Sequence, residues 1–149
     1  TASRIRVLHC ITSLDADGAQ HMLLKLCQHM APDRFDHTIV NLRGATPFAT
    51  RFSDLGVKVV HLGMQRAMPT LSAIRAIGCE IDRHRPDVIQ GWMYHGNIAA
   101  LAGRRWSRTR PPILWNIRKA VADISEYRPL TRLTLRVGAK LSSRANGVI

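Results

Sequence analysis

An almost unbroken apolar run, Ile5-Arg6-Val7-Leu8-His9-Cys10-Ile11, stops at Thr12-Ser13, as a strand buried within a parallel sheet does. Beyond it the period changes. Ala19, Met22, Leu23, Leu26, Cys27 and Met30 recur every three or four residues, which predicts a helix over 18–30 with one buried face and Asp17 in the capping position. The same alternation continues along the chain. Further strands are predicted at 37–42, 57–62, 88–90 and 113–117, with a sixth opening at Gly147, and further helices at 47–55, 71–84, 98–106 and 130–142. Thr70 and Asn97 stand where caps for the third and fourth helices belong, and Pro86 forces the third to end near His84. Strands alternating with helices of this length imply an α/β domain: a doubly wound, mainly parallel Rossmann-like sheet, with helices on both faces because right-handed crossovers put them there.

With 149 residues, 46% of them apolar and 21% charged, the chain has room for one such domain around one core. No apolar run approaches the ~20 residues that a membrane-spanning helix needs. Cys10, Cys27 and Cys79 are odd in number and embedded in apolar stretches, which predicts buried thiols in a reducing, cytoplasmic setting rather than disulfides or a metal cluster. The chain opens at Thr1 without a leader and stops just inside an apolar segment, so both ends read as cut. Charge narrows the partners further. The net charge is +12 and unevenly spread: residues 1–74 hold 8 Lys/Arg against 5 Asp/Glu, and residues 75–149 hold 14 against 5. A field of that sign favours an anionic partner. Nucleic acid fits on charge alone, but no recognition motif or aromatic-studded sheet accompanies it.

In an open parallel sheet, ligands collect beyond the carboxyl ends of the strands, where helix amino-termini offer unpaired N–H groups. Chemistry is therefore expected in the loops at 12–18, 91–97 and 116–125. Neither the dinucleotide G-x-G-x-x-G pattern nor a P-loop follows the first strand; Gly18 stands there without the glycines either pattern needs. Asp15-Ala16-Asp17-Gly18 resembles the aspartate pair of haloacid-dehalogenase-type phosphatases, and the pair is also similar to the acidic pocket of receiver domains. A phosphatase of that kind needs a later acidic pair for magnesium, and only Asp123 and Glu126 follow Asp87; a receiver needs an aspartate at the end of its third strand, where this chain has His61-Leu62. A helix cap in a solvated loop accounts for Asp15 and Asp17 without either.

A different resemblance runs the length of the chain. Val7-Leu8-His9-Cys10-Ile11-Thr12-Ser13-Leu14 followed by Gly18-Ala19-Gln20 and a Leu-rich helix resembles the start of family 4 (group 1) glycosyltransferases of the GT-B fold. So do Pro32-Asp33-Arg34-Phe35-Asp36-His37, Leu55-Gly56-Val57, Arg85-Pro86-Asp87-Val88-Ile89-Gln90, Met93-Tyr94-His95-Gly96-Asn97, Trp115-Asn116-Ile117-Arg118 and Pro129-Leu130-Thr131-Arg132-Leu133, in the expected order. The resemblance implies the amino-terminal, acceptor-side half of a two-domain enzyme. It implies a separate carboxyl-terminal domain that binds the donor, a UDP- or GDP-sugar, with no metal or cofactor held by this half. It also implies transfer with retention of configuration to a glycan or lipid-linked hydroxyl acceptor, as in the synthesis of cell-surface polysaccharide, and no activity from this half alone. Gly18 is expected near the cleft, although Asp17 replaces the usual partner glycine and Gln20 stands where glutamate is common. His95 is the candidate catalytic residue, its ring able to hydrogen-bond a reacting hydroxyl; loop stapling is the competing role. Asn116, Arg118 and Lys119 leave the fifth strand toward the same cleft, where the two fixed charges can steady a phosphate or carboxylate. Trp92 and Trp115 are expected in the core or cleft wall.

Arg128, Arg132, Arg136, Lys140 and Arg144 recur every four residues and predict a basic stripe on the last helix, opposite Leu133, Val137 and Leu141. A solvated face explains it; so does peripheral contact with an anionic membrane surface, which suits an enzyme whose acceptor is lipid-linked.

Overall fold

In the computed structural model, which describes residues 3–65, 69–117, 125 and 128–149, every strand pairing is parallel. The strands are β1 (Ile5–Ile11), β2 (Phe35–Asn41), β3 (Lys58–His61), β4 (Val88–Trp92), β5 (Ile113–Asn116) and β6 (Gly147–Val148), in the spatial order β3-β2-β1-β4-β5-β6. The predicted doubly wound sheet is therefore present, and the order reverses between β1 and β4. Helices α1 (Gly18–His29), α2 (Thr50–Asp54), α3 (Leu71–His84), α4 (Met93–Trp106) and α5 (Pro129–Leu141) make the connections. Residues 47–55 divide into a 3-10 turn, Pro47–Ala49, and the short α2 rather than one helix.

Because parallel strands are covered on both faces, alternate side chains of β1 enter different cores. Leu8 and Cys10 pack with Ile77, Ile81, Ala99, Leu101 and Trp115 beneath α3 and α4. Ile11 packs with Leu23, Leu24, Ile39, Phe52 and Trp92 beneath α1 and α2. Trp92 and Trp115 are both buried, one in each core, as expected of core tryptophans. Thr70 caps α3 as predicted, its hydroxyl accepting the Ala73 N–H at 3.2 Å, a contact that contributes about 1 kcal/mol. Asp17 occupies the capping position of α1, but its side chain makes no capping bond. Of the three thiols only Cys10 is fully buried; Cys27 is half-buried and Cys79 is exposed, contrary to expectation, because position 79 falls on the outer side of α3.

The larger departure is at α4. The pattern predicts a loop over 91–97 with Asn97 as cap, whereas β4 extends to Trp92 and the helix starts at Met93. Met93 makes the turn with a left-handed backbone, φ 59°, which for a residue without a short polar side chain costs on the order of 1–2 kcal/mol. Two glycines let the helix lie directly on the sheet. A Cβ on Gly96 would stand 2.6 Å from the Cys10 carbonyl oxygen, and one on Gly91 would stand 2.5 Å from Asn97 Oδ1. Asn97, buried, does not cap. Its Oδ1 accepts the Asn116 N–H at 3.3 Å and its Nδ2 donates to the Asn116 carbonyl at 3.4 Å, so a helix side chain holds the exit of β5.

Candidate functional site

The reversal of strand order leaves a cleft of about 770 Å³ beyond the carboxyl ends of β1 and β4. Open sheets of this kind bind ligands at that crevice, and the volume falls in the range of small-molecule sites. Thr12, Asp17, Gly18 and Gln20 line it from the β1–α1 side, Met93 and His95 from the start of α4, and Ile11 and Trp92 form its floor. Gly18 and His95, proposed from sequence on separate segments, thus share one wall-to-wall site. A side chain at Gly18 would meet nothing within 4 Å, so the amino-terminus of α1 stands open to the cleft.

Two groups give the cleft its chemistry. His95 is half-buried, and burial holds its pKa below the usual imidazole range, so the ring is neutral near pH 7 and able to accept a proton or hydrogen bond. Gln20, in the first turn of α1, donates from Nε2 to the Ser13 carbonyl at 2.9 Å. A carbonyl can only accept, so this bond fixes the amide and leaves Oε1 as the free end. That oxygen is buried with no partner. A buried acceptor left unpaired costs about 1–3 kcal/mol, so the side chain gains from any rearrangement that brings a hydroxyl to that oxygen. Sequence reasoning noted Gln20 only as a departure from a more common glutamate; its orphaned oxygen depends on packing that no spacing reveals.

The remaining candidates divide. Asn116 lies in register beside Trp92 across β4 and β5, and both of its side-chain polar atoms are buried with no partner among the described residues. Arg118 and Lys119 lie outside the described residues. Asp15 is exposed on the β1–α1 loop, and Asp17, also exposed, lines the cleft beside Gly18. Of the four cations predicted for the last helix, Arg132, Arg136 and Lys140 stand on α5 and Arg128 is its N-cap residue; none lines this cleft.

Directly under the cleft lies a polar chain that the sequence did not suggest. Trp92 Nε1–H donates to His9 Nδ1 at 3.1 Å, and His9 Nε2 meets His37 Nδ1 at 3.0 Å. Indole can only donate, so His9 accepts at Nδ1, carries its proton on Nε2 and donates to His37; the proton on His37 is then on Nε2. Burial, followed by the neighbouring His37, lowers the His9 pKa to about 3, and burial lowers that of His37 as well. Burial raises the nearby Cys27 thiol to about 12. The ligand-type atoms of His9, Cys27 and His37 lie within 4.8 Å of one another, but the facing nitrogens of the two rings are joined by a proton at hydrogen-bond distance. The two histidines thus form a neutral hydrogen-bond chain that holds Trp92 in the cleft floor, with the Cys27 thiol beside it.

No family model matches the chain, and no curated protein matches it. Solved structures do. A Listeria monocytogenes protein described as a UDP-N-acetylglucosamine 2-epimerase superposes with a TM-score of 0.61 at 14% identity, covering 99% of this chain and 39% of that one. A Thermobaculum terrenum O-GlcNAc transferase mutant gives 0.57 at 11% identity over 76% of this chain and 21% of its own. A conserved Thermus thermophilus protein gives 0.50 at 15% identity over 74% and 60%. The shared feature is the fold. It is a six-stranded parallel Rossmann-like sheet with helices, as in GT-B structures. The chain spans between about a fifth and three fifths of the length of these structures. Among the described residues, no helix is long and apolar enough to cross a membrane.

Proposed function

We propose that this chain is the amino-terminal, acceptor-side half of a retaining glycosyltransferase, of the family 4 kind that its motifs resemble. The observation that carries the proposal is the meeting, in one cleft at the strand-order reversal, of a neutral His95 with Gln20, whose buried amide oxygen has no partner among the described residues. Both accept hydrogen bonds from hydroxyls, and a sugar offers hydroxyls at hydrogen-bonding intervals. In this reading an acceptor hydroxyl, held by His95, forms a bond to the anomeric carbon of a UDP- or GDP-sugar while its proton passes to the neutral His95 ring. The bond from that carbon to the diphosphate oxygen breaks, and the nucleoside diphosphate leaves with the electron pair toward a facing carboxyl-terminal domain. Arg118 and Lys119 follow Asn116 after Ile117 and steady an anionic group on either substrate. The leaving diphosphate finds its main electrostatic stabiliser in the facing domain, so this half alone is expected to be inactive.

The test is nucleoside diphosphate release by the full-length protein from UDP- and GDP-sugars with glycan and lipid-linked acceptors. His95→Ala is expected to lower kcat/KM by about 10²-fold or more, and Gln20→Ala by roughly tenfold through loss of one substrate hydrogen bond. Asp15→Asn is expected to leave turnover unchanged. Full activity in His95→Ala defeats the proposal, as does magnesium-dependent phosphate-ester hydrolysis that disappears with Asp15→Asn.

A further inference from the structure

Helix α5 does not turn the face inward that its leucine spacing predicts. Thr134, Leu135 and Gly138 are its buried residues, and Thr134 closes that side by donating its hydroxyl to the Leu130 carbonyl at 3.0 Å. Leu130 and Leu133 are more than half exposed, and Val137 is exposed as well. These three are spaced three and four residues apart and form one outward stripe. Arg136 and Lys140, also exposed, flank it, with Arg132 beside them reaching back to the Ser125 carbonyl. The basic residues thus border an exposed apolar stripe instead of standing opposite a buried one. No aspartate or glutamate interrupts α5.

We propose that α5 lies flat on an anionic lipid surface, the leucines and Val137 entering the headgroup boundary while the cationic side chains pair with phosphate groups beside them. An apolar stripe bordered by long cationic side chains is the pattern of an interfacial helix, since the aliphatic stems extend the apolar area and the charged ends stay at the headgroups. Charge argues against a second copy of this chain as the occupant: two such faces would set Arg128, Arg132, Arg136 and Lys140 against their own duplicates. The net charge of +12 orients the approach to a negative surface. The contact is independent of what the cleft transfers.

The test is co-sedimentation of the chain with phosphatidylcholine vesicles, with and without phosphatidylglycerol, alongside light scattering for self-association. Binding is expected only to the phosphatidylglycerol vesicles, weakening as salt is raised. Arg136→Gln with Lys140→Gln is expected to reduce affinity on the order of thirtyfold. Leu133→Gln with Val137→Gln is expected to abolish binding that survives moderate salt, with circular dichroism unchanged because both residues face outward. Three results would overturn the proposal: equal binding to neutral vesicles, indifference to both double substitutions, or a dimer or complex with an acidic protein that the same substitutions dissolve while vesicles are ignored.

Discussion

Gly96→Ala is expected to destabilise the protein by about 3 kcal/mol and to lower its melting temperature by roughly 10 °C for a domain of this size. The added methyl would sit 2.6 Å from the Cys10 carbonyl oxygen and 3.4 Å from the Ile11 Cα, both backbone atoms at the centre of the sheet. Neither can rotate away, and β1 is paired on both sides by β2 and β4, so it cannot shift alone. The helix must lift instead, carrying His95 with it and loosening the Asn97 clasp on β5. Gly18→Ala is the control: nothing lies within 4 Å of the new Cβ, and a helical alanine is favoured over glycine, so stability should stay level or rise by up to about 1 kcal/mol. Urea denaturation of the two variants measures the difference. A neutral Gly96→Ala would mean that α4 is not seated on β1 as described.

Acid should unfold this protein earlier than its carboxylates require. His9 ionises near pH 6.5 when unfolded but only near 3 when folded, because the buried ring would have to charge without water and beside His37. The unfolded chain therefore binds the extra proton first, so stability is undiminished above pH 6.5 and falls as pH drops toward 3. The slope approaches 1.4 kcal/mol per pH unit for each such histidine. Between pH 6.5 and 4.5 His9 alone removes about 2 kcal/mol, a large fraction of the 5–15 kcal/mol of a typical domain. His37, lowered in the same direction, steepens the fall. Urea midpoints across that window measure it. His9→Phe should be less stable at pH 7, because the Trp92 N–H loses its acceptor, yet show a flatter pH dependence; an unchanged slope would remove His9 from the account.

The strands were legible because each is a short apolar run, and parallel order follows from the alternation with helices. The start of α4 was not. No capping residue stands at Trp92, so the capping rule selected Asn97, whose amide instead holds the Asn116 backbone. The left-handed turn at Met93 goes with a tertiary contact, the close approach of Gly91 and Gly96 to their neighbours. The outward turn of α5 escaped for a related reason: its leucines are spaced for burial, but a hydroxyl bond and a glycine set the inward side. Gly18 and His95 were legible as cleft residues from their places after strands, while the His9–His37–Trp92 chain joins residues that parallel register alone brings together.

The most direct test of the acceptor cleft is a ¹H–¹⁵N chemical-shift titration of this chain with hydroxyl-rich glycan acceptors. Perturbations are predicted to gather at Thr12, Gly18, Gln20 and His95, and to vanish in Gln20→Ala with His95→Ala. Shifts confined to another surface, or a cleft that responds to inorganic phosphate and ignores sugars, would contradict the account.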